Sequence, residues 1–157
     1  MPGDAMKVFL YTDGGSRGNP GPAGSAWIAT ENGKIIFTGA KRIGRQTNNI
    51  AEYSALGYAL KDLAAWFDRQ PWLNTAAVEL TCTSDSALLI NQMAGKWRIK
   101  NPTIRQIKRT LDKMLKEKGY RVKFEQVPRD NPRISQVDCL YNAVMDLPRR
   151  YDNALKQ

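Results

Sequence analysis

The sequence predicts an α/β fold: a five-stranded mixed sheet, part antiparallel meander and part parallel strands, with helices on its faces. Three observations carry this. Strand-like runs at 7–12, 25–30 and 34–40 follow one another with short links, the pattern of an antiparallel meander. After residue 50 the pattern becomes helix, strand, helix, helix, strand, helix, and strands joined through helices pair in parallel. No internal repeat or linker interrupts the 157 residues. One core is therefore expected, with a leader at 1–6, a single domain at 7–146 and a polar tail at 147–157.

The first strand, Val8-Phe9-Leu10-Tyr11, runs into Asp13-Gly14-Gly15-Ser16-Arg17-Gly18-Asn19-Pro20-Gly21-Pro22. These glycines and prolines are expected to end the strand in a tight turn. Asp13 then stands at the strand end, where a carboxylate leaves the core. Gly14 beside it lacks side-chain bulk and lets a large partner's backbone come close. Alone, Asp-Gly reads more plainly as an ordinary strand–turn junction. Asn32-Gly33 supplies the next hairpin turn, and 44–49 reads as a polar loop.

A helix pattern follows. Positions 52, 56, 59 and 63 share one stripe. Leu56, Ala59 and Leu63 make it apolar, and Glu52 heads it. A carboxylate there complements the helix dipole, worth about 0.3–1 kcal/mol, or it points across the sheet end at a cation. Residues 78–83 form the fourth strand, which ends in Ser84-Asp85-Ser86 before a helix at 87–93. Taken alone, Asp85 reads as that helix's N-cap. After a loop at 94–101, Pro102 opens a helix that Gly119 closes. Residues 120–126 form the fifth strand. A loop at 127–133 carries Arg129 and Arg133, and the last helix, 135–146, sets Val137, Leu140, Tyr141 and Val144 on one face with Asp138 near its start.

Composition narrows the chemistry. No apolar run approaches the roughly 20 residues of a membrane span, and no signal peptide precedes the domain, so a cytoplasmic protein is expected. Cys82 and Cys139 stand far apart and read as two buried thiols. There is no histidine, which excludes His-ligated metals, Ser-His-Asp triads and histidine bases. The net charge is +9. Residues 96–123 hold eleven Lys or Arg against Asp112 and Glu117, so that stretch carries the whole net charge. Such a block fits a polyanionic partner or a solvated helix face.

In a mixed sheet of this order the ends of strands one and four can be neighbours, and the starts of the first and last helices can approach the same sheet end. Asp13, Glu52, Asp85 and Asp138 would then meet. Four carboxylates repel unless cations neutralise them. Ligands of oxygen alone favour Mg²⁺ or Mn²⁺. Two such ions roughly 4 Å apart clamp the attacking water and the leaving oxygen of a phosphodiester.

The motif around Asp13, with Thr47-Asn48-Asn49-Ile50-Ala51-Glu52, Ser84-Asp85-Ser86, and Val127-Pro128-Arg129 ahead of Asp138, resembles type 1 ribonuclease H from about Met6 to Met145. The resemblance implies a ribonuclease H-like fold and an endonuclease, expected to be monomeric, that cuts the RNA strand of an RNA–DNA hybrid and leaves a 5′-phosphate and a 3′-hydroxyl. It implies two Mg²⁺ ions, with Mn²⁺ as a substitute, on Asp13, Glu52, Asp85 and Asp138. Asn19 and Asn49 match minor-groove contacts, Thr47 and Asn48 match a pocket for a DNA phosphate, and Gly14 and Ser86 fall within the substrate-facing motifs.

Departures from the family pattern are visible. Ala87 stands where a base-contacting Gln is common. The segment 94–101 is too short for the long basic protrusion of some relatives, although Lys96, Trp97, Arg98 and Lys100 can keep part of that surface. Trp97 can instead be core, the commoner fate of a Trp. Nine positions separate Arg129 from Asp138, about two more than in short-form relatives, so Arg129 or Arg133 can be the active-site arginine. Two other readings compete: a related metal nuclease acting on DNA, which Asn19 and Asn49 disfavour, and a non-catalytic binding module, which would have lost one of the acids.

Overall fold

The computed structural model describes residues 5–148. Most of the expected leader and of the tail lie outside the described residues. Strand order is β3-β2-β1-β4-β5. β1 (Met6–Ser16), β2 (Gly21–Glu31) and β3 (Lys34–Gln46) form the antiparallel meander, while β4 (Val78–Ser84) and β5 (Arg121–Gln126) add in parallel beside β1. α1 (Asn48–Asp68) leads to β4 through a single 3₁₀ turn, α2 (Ala87–Met93) and α3 (Pro102–Lys118) lead to β5, and α4 (Pro132–Asp146) closes the chain. This is the predicted mixed sheet with helices on its faces. Among the described residues no helix is long and apolar enough to cross a membrane.

Strand alternation divides the core. Val8 and Leu10 of β1 face α1, α2 and α3 in one cluster with Leu56, Leu63, Leu80, Leu89 and Leu111. Tyr11 faces the other way, where Ala26 and Ile28 meet Val137, Leu140 and Tyr141 of α4. Trp27 ties the meander to α1: its ring stacks on Tyr58 at 5.3 Å and its indole N–H donates to Asp62 at 2.8 Å. Gly39 leaves room for that ring, since a Cβ there would overlap it.

Several boundaries differ from the sequence reading. β1 does not turn after Thr12 but pairs with β2 through Ser16. β3 runs to Gln46, so only Thr47 remains of the predicted loop before α1. Thr47 is the α1 N-cap, accepting from the Ile50 amide. α4 begins at Pro132, capped by Asn131, whose Oδ1 accepts from Arg133 and Ile134. Cys82 is buried, but Cys139 is exposed on α4, against the expectation of two buried thiols.

Candidate active site

The site forms where β1 outruns β4. The last pair between them is Tyr11 with Thr83, while β1 continues beside β2. Asp13 is thus mid-strand on one side and unpaired on the other. β4 ends at Ser84 and Asp85 follows. This is a crevice beyond the carboxyl end of a parallel strand, where the sheet changes direction of winding.

Two small residues deliver Glu52 to the same place. Gly14 and Ser25 are register partners across β1 and β2. Ser25 Oγ donates to the Ala51 carbonyl at 2.7 Å, and a Cβ on Gly14 would overlap that carbonyl. The bulk-free position at Gly14 therefore admits the chain's own helix start, not a partner's backbone. Ala51 locked against the sheet leaves Glu52, one residue on, facing Asp13. α4 brings Asp138 from the opposite face.

Asp13 lies within electrostatic range of the other three acids, and Glu52 within range of Asp85. Burial pushes the Asp13 carboxyl from an ordinary 3.8 up to about 7, with Asp85, Asp138 and Glu52 adding repulsion and Asp138 accepting a hydrogen bond from the protonated group. Glu52 is also raised, by burial first and by Asp85, against a stabilising hydrogen bond from Ser86. Ser86, not Asp85, is the α2 N-cap: its Oγ accepts from the Leu89 amide at 3.1 Å. Asp85 is left for other work. Among the described residues no three His, Cys, Asp or Glu side chains are close enough to hold one metal ion, so the four acids are gathered but not drawn onto a common point. Their donor chemistry fits a hard divalent cation: oxygen alone, with excess negative charge that a cation relieves.

Beside the acids lies a cavity of about 280 Å³ lined by Asn19, Thr47, Asn49, Gln92, Ile99, Asn101 and Ile104. It unites three of the predicted substrate residues. Asn48 does not line it: its Oδ1 accepts from the Ser16 amide and hydroxyl, and its own amide donates to Asn19. Gln92 and Asn101 were missed from the sequence. Asn101 has a signal that was not used, because Asn before Pro at a helix start marks a cap; its Oδ1 accepts from Thr103 and Ile104. Gln92 has none, being a buried polar residue on a short helix that accepts from the Tyr53 hydroxyl.

The basic loop after α2 is braced and turned outward. Lys96 and Trp97 amides donate to Asn91 O, Gln92 Nε2 donates to Arg98 O, and Arg105 donates to the carbonyls of Ile99 and Lys100. Lys96, Trp97, Arg98 and Lys100 are exposed, so Trp97, at 48% exposure, is not core. Of the two candidate arginines, Arg133 donates to Gly33 O and Gln136, far down the sheet. Arg129 is exposed in the turn just after Val127, whose amide donates to Ser84 O at the site end.

Comparison with known proteins bears on the fold and the family. The bifunctional protein Rv2228c of Mycobacterium tuberculosis is 36% identical over 144 residues, which cover 90% of this chain but 36% of that protein; the chain thus spans about a third of that relative's length. A ribonuclease H of Clostridium botulinum is 33% identical, covering 89% of this chain and 96% of its own. LC11-RNase H1, isolated from compost by a metagenomic approach, superposes with a TM-score of 0.80 at 35% identity, covering 89% of this chain and 96% of that one. The same protein in complex with an RNA/DNA hybrid superposes at 0.78 and 34%, covering 87% and 94%. Residues 5–137 match the RNase H family, a span that ends one residue before Asp138. The chain belongs to the RNase H family of enzymes.

Proposed function

We propose that this chain is a metal-dependent endonuclease that hydrolyses the RNA strand of RNA–DNA hybrids, leaving 5′-phosphate and 3′-hydroxyl ends. The observation that carries the reading is the gathering of Asp13, Glu52, Asp85 and Asp138 at one sheet end, with Asp13 raised to about 7. Asp13, Glu52, Asp85 and Asp138 would hold two divalent ions, Mg²⁺ or Mn²⁺. When bound, the ions supply Lewis acidity toward the attacking water and the leaving oxygen. The protein's part is to assemble the acids from four elements and to keep them deprotonated when loaded. Ser86 orients Glu52 by donating to it. Asn19 and Asn49 face the minor groove and read the 2′-hydroxyl, which separates RNA from DNA. The cavity walled by Thr47 and Asn101 seats a backbone phosphate. Lys96, Arg98 and Lys100 add phosphate contacts, Trp97 adds a stacking surface, and Arg129 meets the cleaved phosphate.

Labelled RNA–DNA hybrid, double-stranded RNA, DNA duplex, and DNA duplex with roughly four internal ribonucleotides test this together. Metal-dependent cutting is expected at ribose positions of the hybrid and of the mixed duplex. Equal cutting of all-DNA duplex would favour a DNA nuclease, and binding without cutting would leave a recognition module.

A further inference from the structure

Asp13 on β1 and Asp138 on α4 meet from two elements, and something must set how closely α4 approaches β1 at that end. Residues 13, 15 and 17 follow at the same alternation along β1 and its continuation. They meet successive steps of α4. Asp13 faces Asp138. Gly15 faces Tyr141: a Cβ on Gly15 would lie 3.0 Å from the phenol oxygen, so the ring rests on bare backbone. Arg17 reaches the rest of the helix, donating to Asp146 Oδ1 at 2.7 Å and Asn142 Oδ1 at 3.4 Å, with the Tyr141 hydroxyl also in hydrogen-bonding range. Asn142 in turn donates to the Asp138 carbonyl at 3.0 Å. The same loop is fixed to α1 through Ser16, Asn48 and Asn19.

We propose that Tyr141 and Arg17 are positioning residues: Tyr141 is the spacer, and Arg17 the strap, that fix the separation of Asp13 and Asp138 and so set the affinity of the site for its divalent ions. This rests on the reading of those two acids as metal ligands. The plain alternative is a surface ion pair. Arg17 and Asp146 are 45% and 65% exposed, and such pairs contribute little to stability. That weakness makes the roles separable, because a strap that fixes where α4 lies against β1 changes site geometry more than it changes folding. Tyr141 is also poorly explained as packing alone. It is half-buried, with the Arg17 guanidinium and the Asp13 and Asp138 carboxyls all within electrostatic reach of its hydroxyl.

The test is Mn²⁺ binding to the free protein by calorimetry, with no hybrid present, read beside melting temperature and the kinetics of hybrid cleavage. Arg17→Met and Tyr141→Ala should each weaken Mn²⁺ binding about fivefold or more, a coupling of the size seen between linked sites. KM for the hybrid at saturating Mn²⁺ should change less than about twofold, since neither residue lines the substrate cavity. Tyr141→Phe keeps the spacer and should bind Mn²⁺ within about twofold of the parent. Asp13→Asn is the control. If Asp13→Asn leaves Mn²⁺ binding intact, the metal-site reading fails. If Asp13→Asn abolishes binding but Arg17→Met and Tyr141→Ala retain parental affinity, the positioning proposal alone is overturned. Should Tyr141→Ala melt at assay temperature, Arg17→Met, a change to an exposed side chain, decides the question by itself.

Discussion

Asp13 sits where folding works against ionisation. In the folded chain its carboxyl keeps a proton to about pH 7, against 3.8 ordinarily. Between those values the folded state binds a proton that the unfolded state does not, so Asp13's own contribution to stability is full below about pH 4 and is lost as pH rises through about 7. At about 1.36 kcal/mol per tenfold, and discounted because the group is not fully enclosed, the buried charge costs roughly 2–4 kcal/mol above pH 8. Asp13→Asn removes the charge and keeps the shape. In EDTA at pH 8 the variant should melt roughly 5–10 °C above the parent, with the gap closing by pH 4. Added Mg²⁺ should raise the parent's melting temperature and not the variant's, and cleavage should be lost. A gap that does not change between pH 4 and 8 would mean that Asp13 is not the carboxyl held in its neutral form.

At the scale of elements, the loop before α4 divides its two arginines by anchorage. Arg133 braces α4 to the β2–β3 turn through Gly33 O, whereas Arg129 is exposed just beyond the β4–β5 end. A guanidinium grips phosphate by a two-pronged hydrogen bond and is no proton relay, which suits Arg129 to competing for a leaving phosphate. Arg129→Ala should lower kcat about tenfold, a loss of about 1.4 kcal/mol in the transition state, with KM and melting temperature nearly unchanged and no titration of the effect near pH 6.5. Arg133→Ala should lower the melting temperature a little and leave kcat within about twofold. Unchanged kcat in both would remove the loop from turnover. These placements show which features were legible. Apolar runs, the Asn-Gly turn, Pro102 and Gly119 are local signals, and the elements they predict are present. The extent of β1 was not legible: Gly14 and Gly15 read as breakers, yet they stay in the strand because Ala51 and Tyr141 lie against them. The gathering of the four acids followed from topology and motif order, but not Ser86 as the α2 cap, Asn48 as a brace for Ser16, or Asn101 and Gln92 in the cavity. The Asn48 brace and the shared cavity wall depend on neighbours distant in sequence, whereas the Ser86 cap is local, accepting from Leu89, and is ambiguous in sequence because Asp85 beside it is an equally good capping residue.

For the whole molecule the question is where a net +9 concentrated in residues 96–123 acts. The structure disperses that block. Arg105 braces loop carbonyls, Lys108 pairs with Asp112, Lys118 with Asp68, and Arg121 lies 3.9 Å from Glu79. Arg121 and Lys123 alternate with Val122 and Phe124, which pack into the α1–α3 core, so they face the other side of the sheet. Arg109, Lys113 and Lys116 lie opposite the buried Ile104, Leu111 and Leu115 on α3, pointing away from α1. Lys96, Arg98 and Lys100 are the exposed cations on the loop whose Ile99 and Asn101 wall the cavity shared with Asn19, Thr47 and Asn49. Long-range attraction comes from all of them and decays over about 10 Å at 0.1 M salt, but counterion release counts only phosphates that are contacted. Replacing Lys96, Arg98 and Lys100 by Ala should therefore reduce the slope of log K against log salt by about two to three, at about 0.9 per lost contact on B-form DNA and somewhat differently on a hybrid. KM should rise most at low salt, while kcat at saturating hybrid stays within about twofold. The matched triple on α3, Arg109, Lys113 and Lys116 to Ala, removes the same net charge and should shift the slope by less than about one. Equal slopes for the two variants would assign binding to the overall field, and an unchanged slope in the loop variant would make the loop a solvated surface with no phosphate in contact.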